Sequence, residues 1–247
     1  MNVLVVGAGE MGRWFAETLL STREDAAVAF ADADPAVAAA AADTVGGRAV
    51  ELDTDERFAV VCIAVPIPVA EEAIAANADR AEGAIVDLAG YMDGPLSAMA
   101  EHAPDRERVS FHPLFAADNA PGSVAAVVEN GGPTAEVLLD ALSQAGNDVV
   151  ETTADEHDEA METVQSGAHA AVLAFALAAG DVPETFHTPI SAGLFDLVEQ
   201  VTGNDPRVYA DIQDTFDGAE AVAEAAERIA DADHDQFEAL YREASNR

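Results

Sequence analysis

The stretch VLVVGAGEMGRWFAETL, residues 3–19, decides how the chain folds. An apolar run stops at Gly7, and Gly7, Gly9 and Gly12 form a G-x-G-x-x-G pattern that opens a stretch of helical period. Strand, glycine turn and helix in that order make a cradle for a dinucleotide. The first glycine permits the tight turn. The second lets backbone approach a pyrophosphate, and the third lets the helix pack closely on the strand. The diphosphate is expected at the helix N-terminus, against Glu10 and Met11, where N–H groups are left unbonded.

A second strand follows and ends in Asp32, at the spacing where an acidic side chain holds a ribose hydroxyl pair. The same carboxylate repels a 2′-phosphate, and the next arginine downstream is Arg48, so NAD is expected rather than NADP. Asp34 precedes Pro35 and reads as a helix N-cap followed by proline at the first helical position. The run CIAVPIPV ends a further strand, and its Val65-Pro66 step is expected to wall the cofactor site.

Outward from this turn, short β-rich runs alternate with helical stretches. Strands are expected at 2–6, 27–31, 49–52, 59–65, 84–88, 109–111, 125–128 and 148–152. Helices are expected at 11–21, 35–44, 69–78, 94–101 and 133–145. That alternation implies a Rossmann-type, doubly wound, mainly parallel sheet over residues 1–152. From residue 153 the pattern turns wholly helical, at 155–179, 191–201, 206–229 and 234–244. It reads as a smaller all-helical second domain whose alanine-rich helices suit packing against a second copy of the chain.

The chain has 247 residues, half of them hydrophobic, and a formal net charge of −36. All 11 basic residues are arginine. The acid is spread along the chain rather than gathered in a tail, which fits a salt-adapted surface, because molar salt shortens the Debye length to about 3 Å. Such a charge argues against nucleic acid as a partner. No apolar run approaches the roughly 18 residues of a membrane span, and the first strand is too short for a signal peptide. A cytoplasmic location is expected. Cys62, the one cysteine, lies in an apolar run and reads as a buried inert thiol, and no metal site is expected.

Among the six histidines, His102, His187 and His234 read as surface residues. His112 follows the short strand RVSF and precedes Pro113, which sets an imidazole at a strand end on the same edge as the glycine turn. It can take a hydroxyl proton as hydride leaves the same carbon, or serve as a strand cap. Met161, Gln165 and His169 recur every fourth residue and form one helical stripe in what reads as an alanine-rich core helix. Their partners there are a substrate or the other domain.

These residues resemble the prephenate dehydrogenase family, over nearly the whole chain. VDLAGYMDGPLSAM is similar to the family's D-x-x-S-x-K-x-G-P-L, and FHPLFA to its H-P-M-F-G. HDEAMETVQSGAH resembles its H-D-x-x-M-x-x-x-Q-x-x-x-H, and TPISAGLFDLVEQVTGNDPRVYADI its S-P-I…D-P-x-L-Y-x-D-I. The resemblance implies NAD-dependent oxidative decarboxylation of prephenate to 4-hydroxyphenylpyruvate, a step of tyrosine biosynthesis, with His112 as proton acceptor. It implies that Gly90, Gln165 and His169 line the substrate pocket between domains, and that the helical domain forms a homodimer. The family's serine falls on Gly90 and its lysine on Met92. Its arginines fall on Ala168 and near Gln200 or Glu199, so Arg13, Arg207 or a partner subunit would supply the charge for the substrate carboxylates. Alternatives are an arogenate dehydrogenase, another small-substrate NAD(P) dehydrogenase, or a non-catalytic NAD-binding relative.

Overall fold

The structure is a computed structural model and describes residues 1–246. Contacts divide the chain into two compact units, Met1–Asp158 and Glu159–Arg247, so the division lies within a helix just past the expected boundary at residue 153.

The first unit is built on an eight-stranded sheet. Its strands are β1 (Asn2–Val6), β2 (Ala27–Ala31), β3 (Arg48–Ala49), β4 (Phe58–Ile63), β5 (Ala81–Asp87), β6 (Glu107–Pro113), β7 (Ser123–Asn130) and β8 (Asp148–Glu151). They lie in the order β3-β2-β1-β4-β5-β6-β7-β8, and every pairing is parallel except β6 with β7. The sheet is therefore doubly wound and mainly parallel. Between them run α1 (Glu10–Thr22), α2 (Pro35–Val45), α3 (Ala70–Asn77), α4 (Asp93–His102) and α5 (Pro133–Gln144).

Side chains that alternate along each strand feed opposite faces. Val3 and Val5 of β1 join Phe30, Cys62 and Val86 in a core closed by Trp14, Phe15 and Leu19 of α1, Ala38 of α2 and Leu138 of α5. Leu4 and Val6 point the other way, to Ile63 and Ile85, and are closed by Ile74 of α3 and Met99 of α4. Both faces are covered, so β1 and β4 are apolar almost throughout. Cys62 is free and fully buried, and burial pushes its thiol well above the usual range.

A short helix α6 (Ala154–Met161) carries the chain out of the first unit. The second unit holds α7 (Ala168–Ala178), α8 (Pro189–Thr202), α9 (Pro206–Thr215), α10 (Gly218–Asp231) and α11 (His234–Ala244). The continuous helix expected over 155–179 contains a π-helical turn at Glu162–Gly167. The single helix expected over 206–229 is broken between α9 and α10. There the Ser166 hydroxyl donates to the Phe216 carbonyl at 2.9 Å, and a Cβ on Gly218 would lie 1.9 Å from the Glu162 carbonyl oxygen. Only glycine lets backbone approach backbone this closely.

Candidate functional site

The turn after β1 is built as its glycines require. Gly7 has φ of 97°, and a Cβ there would lie 2.2 Å from the Ala64 carbonyl oxygen; a Cβ on Gly12 would lie 2.1 Å from that of Gly7. Gly9 differs, because nothing lies within 4 Å of the space its Cβ would fill. It is the N-cap of α1, and no side chain caps that helix. Open space over uncapped N–H groups at a positive dipole end suits a diphosphate. Asp32 braces the cradle: its Oδ2 accepts from Ala8 N at 2.8 Å and its Oδ1 from Asp34 N at 3.0 Å. Asp34 Oδ1 accepts from Ala36 N at 2.9 Å, which makes it the N-cap of α2.

Sheet order lines the rest of the site along one edge. β1 pairs with β2 on one side and β4 on the other, so winding reverses there and the crevice opens at their carboxyl ends. A Cβ on Gly7 would also lie 3.1 Å from Val65 Cγ1; Val65 is half-buried, while Pro66 is exposed. Beyond β5, a Cβ on Gly90 would lie 3.3 Å from Ile67 Cδ1 and 3.7 Å from His112 Nε2. The glycine cradle, the segment after β4, Gly90 and His112 therefore succeed one another across the edge of the sheet.

His112 is buried at the end of β6, and its Nδ1 lies 2.9 Å from Nε2 of His157, also buried. His157 Nδ1 in turn lies 2.7 Å from Asp158 Oδ1. Asp158 Oδ1 accepts from Met92 N at 3.0 Å and its Oδ2 from Asp93 N at 3.1 Å. Helix α4 has no cap of its own at Met92, and this distant carboxylate supplies one, worth about 1 kcal/mol. The start of α4, the end of β6 and the His157-Asp158 pair are thus joined through one carboxylate and two imidazoles. Burial, then the neighbouring His157, holds His112 down at about 3, while Asp158 pulls weakly the other way. His112 is neutral throughout the ordinary range. His157 and Asp158 carried no role in the sequence reading; their partner lies 45 residues away along the chain.

Beneath this edge sits a buried carboxyl. Asp87 is fully enclosed at a position paired with Ser110, two residues before His112. Its Oδ1 accepts from Ala89 N at 2.8 Å, whereas its Oδ2 and the Ser110 hydroxyl are sealed from solvent without a well-formed hydrogen bond. Burial lifts Asp87 to about 8.

In the second unit, Gln165 lies on the π turn, which is held by the Gln213 amide donating to the Ser166 carbonyl at 3.0 Å. π turns recur at functional positions. They also break α-helical spacing, so Met161, Gln165 and His169 do not form the straight stripe expected from a continuous helix: Met161 is buried, and the other two are half-buried. His169 packs edge-on against Tyr209 at 4.7 Å between centroids, and burial lowers its basicity. Nor is the alanine-rich segment a core helix within this chain, since α7 buries no residue. His187 is not a plain surface residue either: it stacks on the Phe195 ring at 4.7 Å. His102 and His234 are exposed. Arg13 donates to the Ala8 carbonyl at 3.2 Å, and Arg207 is exposed. Among the described residues, no group of three or more His, Cys, Asp or Glu could hold a metal ion, and no helix is long and apolar enough to cross a membrane.

No family model matches the chain. It is 33% identical over 265 residues to a 4-amino-4-deoxyprephenate dehydrogenase from Streptomyces pristinaespiralis, covering 98% of this chain and 88% of that protein. The chain belongs to the prephenate/arogenate dehydrogenase family. A probable arogenate/prephenate dehydrogenase from Methanocaldococcus jannaschii is 24% identical over 226 residues, 85% of this chain and 50% of that protein. Two solved dehydrogenases of this family share its fold. Prephenate dehydrogenase from Aquifex aeolicus, crystallised with hydroxyphenyl propionate and NAD+, superposes with a TM-score of 0.74 at 17% identity, over 99% of this chain and 92% of that one. Arogenate dehydrogenase from Synechocystis gives 0.64 at 15% identity, over 100% and 98%.

Proposed function

We propose that the chain is an NAD-dependent dehydrogenase that oxidises and decarboxylates prephenate to 4-hydroxyphenylpyruvate. The observation that carries this reading is His112, a neutral imidazole one glycine removed from the edge that holds the dinucleotide cradle. Gly7, Gly9, Glu10, Met11 and Gly12 would hold the diphosphate, Asp32 the ribose, and Val65 and Pro66 the wall. The dinucleotide supplies the hydride acceptor. Asp32 favours NAD, because its carboxylate repels a 2′-phosphate.

His112 Nε2 takes the carbinol proton as hydride leaves the same carbon. The bond to the ring carboxylate then breaks, carbon dioxide departs, and the electron pair left behind completes the aromatic ring. The oxygen recovers its proton from His112, so the reaction releases no net proton. Gly90 gives the substrate room beside the base, and Gln165 and His169 are assigned to substrate contact. The name of the Streptomyces relative supports a second reading, in which an amine replaces the hydroxyl and His112 takes its N–H proton.

The enzyme is assigned as a homodimer through its C-terminal helices, a reading supported by Leu177, Phe186 and Ile190 at 89%, 75% and 78% exposure. Its acidic surface is assigned to a salt-rich cytoplasm. The test is turnover at molar salt with NAD and, separately, prephenate, arogenate and 4-amino-4-deoxyprephenate, followed by absorbance of the reduced cofactor. Prephenate turnover that disappears in His112→Ala is the expected result. Cofactor binding with no turnover on any of the three makes the chain a non-catalytic relative.

A further inference from the structure

We infer that His157 and Asp158 are positioning residues that fix the tautomer of His112, so that Nδ1 carries the ring proton and Nε2 is the accepting nitrogen. The inference follows from counting protons along three side chains. Asp158 is an acceptor only, and its oxygens already take the backbone N–H groups of Met92 and Asp93 at the start of α4. The ring atom 2.7 Å from it, His157 Nδ1, must therefore donate. The inference assigns His157 a single ring proton, which leaves a lone pair on Nε2. The atom 2.9 Å from that lone pair, His112 Nδ1, must donate in turn. A neutral His112 that spends its proton there has Nε2 in accepting form, facing the side on which Gly90 lies.

Placement rather than proton export is the role the chemistry needs, because the proposed reaction returns its proton to the product oxygen. A departure in the sequence makes the chain of imidazoles matter more here. The family's serine position is Gly90 here and has no hydroxyl to orient the imidazole. The orienting contact comes from the opposite side of the ring, through Nδ1.

The kinetic part of the test rests on the proposed dehydrogenase reading; the spectroscopic part does not. In 15N-labelled protein, long-range 1H–15N spectra distinguish the two neutral tautomers. The expected result is His112 protonated at Nδ1. In Asp158→Asn the amide oxygen must still serve the α4 N–H groups, so its NH2 faces His157 and the proton order reverses. His112 should then be protonated at Nε2, and kcat should fall by about 10³–10⁴, as a wrong tautomer does in a Ser-His-Asp triad, with KM changed little. His157→Gln offers an accepting oxygen and a donating NH2 at similar spacing, and should recover most of the kcat that His157→Leu loses. Three results each overturn the inference. They are His112 protonated at Nε2 in the wild type, Asp158→Asn that moves neither tautomer nor kcat, and His157→Gln as inactive as His157→Leu. If no substrate turns over at all, the dehydrogenase reading fails while the spectra still decide the tautomer.

Discussion

The two units of the chain solve the burial problem differently. The first closes a sheet with helices on both faces, and its strands and helices supply nearly all of the fully buried side chains. The second holds few fully buried side chains: Met161, Val201, Ile212 and Phe216 are its buried hydrophobic residues among those described. No residue of the apolar helix α7 is fully buried, which suits the proposed homodimer interface. The first unit is therefore a finished body with the candidate site on its edge, and the second is the unit to which the proposed dimer contact is assigned.

Four substitutions break or sharpen that contrast. The largest expected effect is on the edge of the finished unit. His112→Ala should lower kcat at least 10³-fold with the cofactor dissociation constant unchanged, measured by turnover alongside fluorescence titration of the reduced cofactor. Gly12→Val comes next: its Cβ would overlap the Gly7 carbonyl, so α1 must move off β1. Cofactor affinity should drop by about 100-fold or more in the same titration, and the C-terminal helices should keep their far-ultraviolet signal. Leu177→Glu tests the unfinished unit. It should shift the sedimenting species from dimer to monomer, at a cost of about 2–3 kcal/mol for the lost apolar contact. An unchanged monomer in the wild type would remove the interface reading.

The smallest effect concerns pH. Asp87 has its folded value raised from 3.8 to about 8, so its contribution is complete below about 4 and is lost as pH rises through 8. His112 has its value lowered from 6.5 to about 3, so its contribution is present above 6.5 and is lost as pH falls. Between about 4 and 6.5 the two slopes oppose each other. Above 6.5 only the Asp87 loss remains, roughly 1 kcal/mol per pH unit. Asp87→Asn keeps an oxygen for Ala89 N–H and offers N–H to Ser110. Its melting temperature should exceed that of the wild type at pH 7.5 and lie flat from there to pH 8, by calorimetry.

What the sequence disclosed was whatever is decided over a few residues. The strands at Asn2–Val6 and Ala27–Ala31 and the helix at His234–Ala244 end where alternation, caps and helical period say they should. Asp34 caps α2 because an aspartate before proline has few other uses. The break between α9 and α10 was not legible, because it is imposed by Gly218 meeting a carbonyl more than fifty residues back along the chain. The π turn hid for the same reason. The pairing of His112 with His157 lay beyond pattern, although a histidine and an aspartate side by side at 157 and 158 were a signal that a polar pair was wanted there. Local chemistry is written locally, while the atoms that aim it come from elsewhere in the chain.

Asp158 is the last residue of the first unit. The carboxylate that steadies the imidazoles is thus also the mooring from which the polypeptide departs toward its second half. One side chain thus closes the first unit and, through His157, reaches the imidazole on which the proposed chemistry depends.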